Sequence, residues 1–338
     1  MKWRKTLAGV FYHSGGARLL RQYWGAQSLT VLAYHRIIDV HAPDFKYLAS
    51  NVSATPAQFR QQIDYIARNY QVIDLATLRA HLQDGQPLPP RALLITFDDG
   101  YLDNYENAAP VLREYNLPAV IFVITSRMTD PRPLWWDECA AYFHATAATS
   151  VDLPLIGQQM FHTLAEKRRV CDRFAQAIKV LPEAERLAMV TDLTRVLDVP
   201  PIAADTLFMS WDQVREIVAG GIACQPHTHN HPILTRVDYE TVVNELRDSK
   251  MQIEQETGQA AFALAYPNGT SADYNADVMK ALAELGYEMA FSLLPGPSRA
   301  LEIQSAPLEI RRIFLGHWDT FEGFVTKVAG VPRLVARA

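Results

Sequence analysis

A largely apolar run, Ala92–Phe97, ends abruptly in two adjacent carboxylates and a glycine, Asp98-Asp99-Gly100. A short apolar run bounded by turn residues predicts a buried strand. Parallel sheets and α/β barrels place their chemistry where such strands end and the following loops begin. Two neighbouring aspartates held there are costly, because like charges resist being ionised together. A bound cation removes that cost, with one Asp ligating it and the other left free as a base. A bland alternative also exists, in which Asp98 or Asp99 merely caps the next helix.

The flanking sequence repeats a strand-then-helix rhythm. Strands are predicted at Ser28–Tyr34, 72–73, Ala92–Phe97, 118–125, 222–225, 262–265, 287–292 and 310–315. Helices alternate with them: one opens at Thr55-Pro56, with Thr as cap and Pro at the first helical position. Others cover 76–82, 105–115, 239–256, 275–285 and 320–328, and Ser210-Trp211-Asp212-Gln213 reads as a capping box ahead of a further one. Six to eight βα units imply an α/β fold, a barrel or near-barrel. The rhythm breaks between about 135 and 205, where 161–180 and 182–197 carry helical periodicity, predicting a helical insertion in a barrel loop. The chain thus divides into an N-terminal segment, 1–27, and one domain, 28–338, that contains the insert.

Composition excludes several classes. Net charge is −5, which gives a nucleic-acid role no electrostatic support. The three cysteines, Cys139, Cys171 and Cys224, are too few and too scattered for a disulfide framework or a Cys-x-x-Cys metal pair. A reducing compartment suits them better. No stretch approaches the roughly 20 apolar residues that span a bilayer. Met1-Lys2-Trp3-Arg4-Lys5 begins like a signal peptide, but His13, Ser14, Arg18 and Arg21 interrupt any apolar core. The segment from Trp3 to Trp24 is instead expected to be basic and amphipathic, packing on the domain or resting on an anionic membrane surface. The placement expected is cytoplasmic, with contact at the inner face of the membrane in the second case.

A second cluster follows the strand predicted at 222–225: Pro226-His227-Thr228-His229-Asn230-His231-Pro232. Three of the chain's ten histidines fall within five residues. His227 and His231 stand four apart, a spacing that brings two imidazoles together, while His229 points away. Neutral imidazole is the commonest metal ligand. One carboxylate and two imidazoles make three protein ligands with positions left for water and substrate, the catalytic form of a zinc site. The second Asp is then placed to take a proton from that water, and the chemistry implied is hydrolysis of an amide or ester. Non-haem Fe(II) oxygenases use the same donor types, but usually on all-β folds with a His-x-Asp pair.

In order along the chain come Thr96-Phe97-Asp98-Asp99-Gly100-Tyr101, His227-Thr228-x-x-His231-Pro232 and Ala265-Tyr266-Pro267-Asn268-Gly269. This ordered set resembles the polysaccharide deacetylase family with the NodB homology domain, carbohydrate esterase family 4, from about Leu29 to Leu315. The resemblance implies a distorted (β/α) barrel that removes N-acetyl, sometimes O-acetyl, groups from sugars with one divalent metal ion. Zn²⁺ is the first choice for it, with Co²⁺, Ni²⁺ or Mn²⁺ as alternatives. It makes Asp98 the base and Asp99, His227 and His231 the metal ligands, and it offers the Tyr266 backbone N–H to the oxyanion.

The sequence departs from the family pattern in three places. The arginine often found just before Tyr-Pro is replaced by Ala263, Leu264 and Ala265, so Arg311 or Arg312 is expected to supply that charge, Arg312 resembling the arginine of a family subgroup. The usual late histidine is not evident, so His35 in Tyr34-His35-Arg36 is expected as general acid, with His317 the alternative. Trp135-Trp136-Asp137-Glu138 opens the insert, as a sugar-stacking surface or as packing. The substrate implied is an N-acetylated glycan, or a lipid-linked or nucleotide-linked sugar precursor. A carbohydrate O-acetyl esterase and a non-catalytic glycan-binding module on the same scaffold are the competing readings.

Overall fold

The computed structural model describes residues 2–24, 27–130, 132–202 and 206–335. Residues 1, 25–26, 203–205 and 336–338, at the edges of the segments marked out above, lie outside the described residues.

Seven parallel strands form a distorted barrel: β1 (Ser28–Tyr34), β2 (Ala92–Phe97), β3 (Val120–Val123), β4 (Ala223–Pro226), β5 (Ala263–Ala265), β6 (Met289–Phe291) and β7 (Ile313–Phe314). β1 pairs with β2 on one side and β7 on the other, and β2–β3 and β3–β4 continue the ladder. β5 pairs with β6, and β6 reaches Ile310, just before β7, through a single bridge. Every residue of β1 and β2 is buried. Helices cover the outside of the strands, so their sequences read as continuous apolar runs without alternation.

Among the described residues ladders close the ring except at two places: β6 meets the segment before β7 through that single bridge, and no ladder joins β4 to β5. The Gln225 side chain spans the gap instead. Its Oε1 accepts from the N–H groups of Phe262 and Ala263, at 2.9 and 3.0 Å, and its Nε2 donates to the Ala260 carbonyl at 3.1 Å. One amide thereby partners three backbone groups that no ladder between the two strands reaches, the buried Ala263 N–H among them.

The elements form where local chemistry asks for them. Thr55 caps the helix Pro56–Asn69 in a full capping box with Gln58, and Ser210 does the same with Gln213 for Trp211–Ala219. Strands are shorter than expected: 118–125 shrinks to Val120–Val123 and 310–315 to Ile313–Phe314. Their apolar flanks are buried in loops, which periodicity cannot distinguish from strand.

The insert is not wholly helical. The helix Trp135–Ala145 is followed by an antiparallel hairpin, Ser150–Leu153 with Gly157–Met160, and by helices Leu164–Ile178 and Glu183–Val196. These close over their own core of Phe143, Phe161, Phe174 and Leu193. The hairpin escapes sequence reading because Gly-Gln-Gln-Met carries no apolar alternation.

The N-terminal helices Lys2–His13 and Gly16–Trp24 pack on the barrel. Tyr12 meets Phe321 edge to face at 5.9 Å, Arg21 hydrogen-bonds the Tyr65 hydroxyl, and Trp24 is buried beneath the Arg333 guanidinium. Among the described residues no helix is long and apolar enough to cross a membrane.

Candidate active site

The backbone at the end of β2 sends the two aspartates apart. The Asp98 N–H extends the ladder by donating to the Tyr34 carbonyl at 2.9 Å. Asp99 and Gly100 then take left-handed conformations, φ 72° and 78°. A Cβ at Gly100 would lie 2.9 Å from Val123 Cγ1, so both the turn and the close approach demand glycine.

Asp98 is buried against Arg312. Nη1 donates to Oδ1 at 2.6 Å and Nη2 to Oδ2 at 2.8 Å, a bidentate pair. Arg312 also reaches Thr96 Oγ1 and the Ser292 carbonyl, both at 3.2 Å. Burial alone would push the Asp98 carboxyl up, but Arg312, then His227 and His35, outweigh it and hold the group down at about 2. Asp98 is therefore an ionised acceptor fixed in one orientation. Of the two arginines expected to supply that charge, Arg312 is the one seen on Asp98.

Asp99 behaves in the opposite sense. Burial, reinforced by the neighbouring Asp98 charge, raises its carboxyl well above the ordinary range. Oδ2 accepts from Asn51 Nδ2 at 3.2 Å, while Oδ1 is buried with no hydrogen-bond partner. His227 Nε2 and His231 Nε2 stand 3.6 and 3.7 Å from that Oδ1. One donor atom from each of the three residues falls within 4.8 Å of the others. An orphaned carboxylate oxygen facing two imidazole nitrogens is what a divalent cation would satisfy, and this donor set fits Zn²⁺ or a related ion. The Ala265 carbonyl lies 2.7 Å from His227 Nδ1, which places the proton there and frees Nε2 toward Asp99. Burial lowers the pKa of both histidines, keeping them neutral.

The loop that carries the histidines is strained and held. Thr228 and His231 have φ of 66° and 63°. A β-branched residue there is costly and persists only where its surroundings over-determine it. Glu245 supplies the restraint: its carboxylate accepts from the His229 and Asn230 N–H groups at 2.9 and 2.7 Å and from Asn230 Nδ2 at 2.8 Å. His229 turns outward, its Nδ1 2.9 Å from Thr125 Oγ1.

His35 reaches the site from the end of β1, Nε2 standing 3.9 Å from Asp98 Oδ2. Ser53 and Asn104 hold its backbone at 2.8 and 2.7 Å, and Asp103 takes the next residues, Arg36 Nε and Ile37 N–H. Burial drives the His35 pKa down to about 4, so its ring is neutral near pH 7. His317 lies apart from the cleft, its ring against Trp318 at 5.2 Å.

One expected donor is not available. The Tyr266 N–H donates to the Phe291 carbonyl at 3.0 Å, and its hydroxyl to the Leu308 carbonyl at 2.9 Å. The strand β5 pairs with β6 one residue further than the sequence suggests, and this spends the N–H expected at an oxyanion. The Trp pair divides its roles: Trp136 is buried, donating to the Tyr101 hydroxyl at 3.0 Å with its ring 5.0 Å from His231, while Arg186 covers the Trp135 ring. Both line the cleft.

That cleft, about 250 Å³, brings together His35, Asp98, Asp99, His227 and His231. It also gathers Asn51, Gln176, Lys179 and Asn268, which sequence reading missed. Asn51 donates both to Asp99 and to the Tyr101 hydroxyl, which in turn donates to the buried Asp137 at 2.5 Å. Only the Asn-Gly pair at 268–269 left a sequence signal, and that signal reads as a turn.

The chain matches the family model described as polysaccharide deacetylase over residues 85–290. Among curated proteins it is 31% identical over 114 residues to the poly-beta-1,6-N-acetyl-D-glucosamine N-deacetylase of Escherichia coli K12, covering 33% of this chain and 16% of that protein. It is 33% identical over 109 residues to the protein of the same name from Staphylococcus epidermidis, covering 30% of this chain and 37% of that one. Among solved structures it resembles the Streptococcus pyogenes deacetylase PplD in complex with acetate, with a TM-score of 0.60 at 19% identity, covering 90% of this chain and 99% of that one.

Proposed function

Since the chain belongs to the polysaccharide deacetylase family, we propose that it is a metal-dependent hydrolase that removes N-acetyl groups from a sugar of a polysaccharide or glycan precursor. The observation that carries this reading is the division of labour at the end of β2. Asp98 is locked onto Arg312 as an ionised acceptor, and Asp99 faces His227 and His231 with an unsatisfied oxygen.

Asp99, His227 and His231 would hold the divalent ion, Zn²⁺ by choice of donors. When bound, such an ion polarises an acyl oxygen and makes water more acidic. The remaining work falls to the protein. Asp98, held ionised by Arg312, is the group available to accept a proton from the attacking water. His35 enters the reaction neutral, since its own pKa is near 4. It must gain a proton before it can give one to the departing amine, and Asp98, whose Oδ2 lies 3.9 Å from Nε2, would hold the one taken from water. Trp136 closes one wall and limits water, which strengthens the charge interactions inside.

The test is acetate release from N-acetylated and O-acetylated glycans, β-1,6-linked N-acetylglucosamine oligomers among them. Wild type, Asp98→Asn and His227→Ala would each be metal-stripped and then reloaded with Zn²⁺. Release from N-acetylated members by wild type alone, returning with the metal, supports the reading. Release confined to O-acetyl esters would overturn the bond assigned, and no release with metal bound would leave a binding module.

A further inference from the structure

Lys179 stands on the wall of the same cleft, brought there by the insert at the end of the helix Leu164–Ile178. The residue is half-buried, and no hydrogen bond or ion pair joins its ammonium to the described residues. Desolvation pulls its pKa down; Asp273 opposes this from a distance and Arg186 adds to it. Its charge also reaches His35 and His231, on two sides of the site. A partly desolvated ammonium is expensive unless an opposite charge meets it.

No such charge comes from the catalytic groups. Arg312 already matches Asp98, and a divalent ion on Asp99 more than offsets that carboxylate. Imidazoles that ligate a metal ion add no charge of their own, so Lys179, standing on the cleft wall, leaves the loaded cleft positive. A neutral acetamido sugar would leave that field unanswered.

We propose that Lys179 is a specificity-determining residue that selects glycans bearing an anionic group, a phosphate ester or a uronate, close to the N-acetyl group removed. The inference rests on the deacetylase reading given above. A charge-assisted contact from Lys179 would place the anion against the insert, with the acetamide between Asp98 and the metal ligands.

The experiment compares three substrates with the Zn²⁺-loaded full chain: a neutral N-acetylglucosamine oligomer, the same oligomer carrying a terminal phosphate, and one with an adjacent glucuronate. Wild type should favour at least one anionic substrate by tenfold or more in kcat/KM, chiefly through KM. Lys179→Met should erase that preference while sparing the neutral substrate, and Lys179→Arg should restore it. Preference for phosphate alone points to a lipid- or nucleotide-linked precursor, and for glucuronate alone to an acidic polysaccharide; both support the assignment. Equal turnover of all three by wild type, or an equal loss on all three in Lys179→Met, overturns it and leaves the deacetylase reading standing. No acetate from any substrate defeats the deacetylase reading, and this inference falls with it.

Discussion

Arg312 grips Asp98 through both terminal nitrogens, across 214 positions of sequence, and neither side chain is exposed to solvent. The guanidinium is held further by Thr96 Oγ1 and the Ser292 carbonyl, so it cannot rotate away from the carboxylate cheaply. Breaking a buried pair by removing one partner costs about 3–5 kcal/mol, because the survivor keeps its charge without compensation.

Arg312→Met should therefore lower stability by about that amount and reduce kcat by about 10²-fold or more, the scale of a misplaced base. Arg312→Lys should recover only part of either, since a point charge cannot reproduce the fork. Denaturant unfolding and acetate release measure the two effects. Wild-type-like activity in Arg312→Met would show that Asp98 needs no orienting cation.

The His35 pKa, lowered from 6.5 to about 4 chiefly by burial, fixes a direction for stability. The unfolded chain protonates this ring as pH falls through about 6.5, while the folded protein resists until about 4. Stability from this group is thus full above pH 6.5 and lost between 6.5 and 4. At about 1.4 kcal/mol per pH unit the loss is of order 3 kcal/mol. Metal-stripped His35→Gln should show a flatter fall than wild type across that window in thermal unfolding; parallel curves would contradict the shift.

Metal should stabilise the fold through Asp99, His227 and His231. Zn²⁺ at a hundredfold excess over its Kd should add about 2.7 kcal/mol to wild type. His227→Ala should show little of that gain, and elemental analysis should find it largely metal-free. An undiminished thermal shift in His227→Ala would place the ion elsewhere.

Asn51 holds Asp99 from behind and ties it to Tyr101 and the insert's Asp137. Partners of this kind usually tune metal affinity by 10–100-fold. Asn51→Ala should weaken Zn²⁺ binding within that range in a competition titration while leaving the unloaded fold intact. Unchanged affinity would make the network a packing device.

The barrel was legible because β1 and β2 are largely apolar runs ending in chemistry-bearing residues, and such runs have few other fates. Asp98-Asp99 and the histidine cluster stood out for the same reason, being charges and imidazoles where strands stop. Asn51 and Lys179 gave no signal: a lone amide in a loop and a lysine ending a helix look like surface, and only the tertiary fold brings both to the cleft. Tyr266 differs: the family resemblance alone offered its N–H to an oxyanion, and one further bond from β5 to β6 occupies that donor here. The hairpin at 150–160 was hidden because its second strand is polar and faces solvent on most of its length.

A closed barrel offers no strand edge, and this one keeps that property through a single side chain. Gln225 lies two residues before His227, and the strand it fastens runs on to Ala265, whose carbonyl orients that histidine. The gap between β4 and β5 is therefore a seam beside the metal ligands. With no ladder across it, the placing of Ala265 next to His227 leans on one side-chain amide where strand pairing would ordinarily do the work.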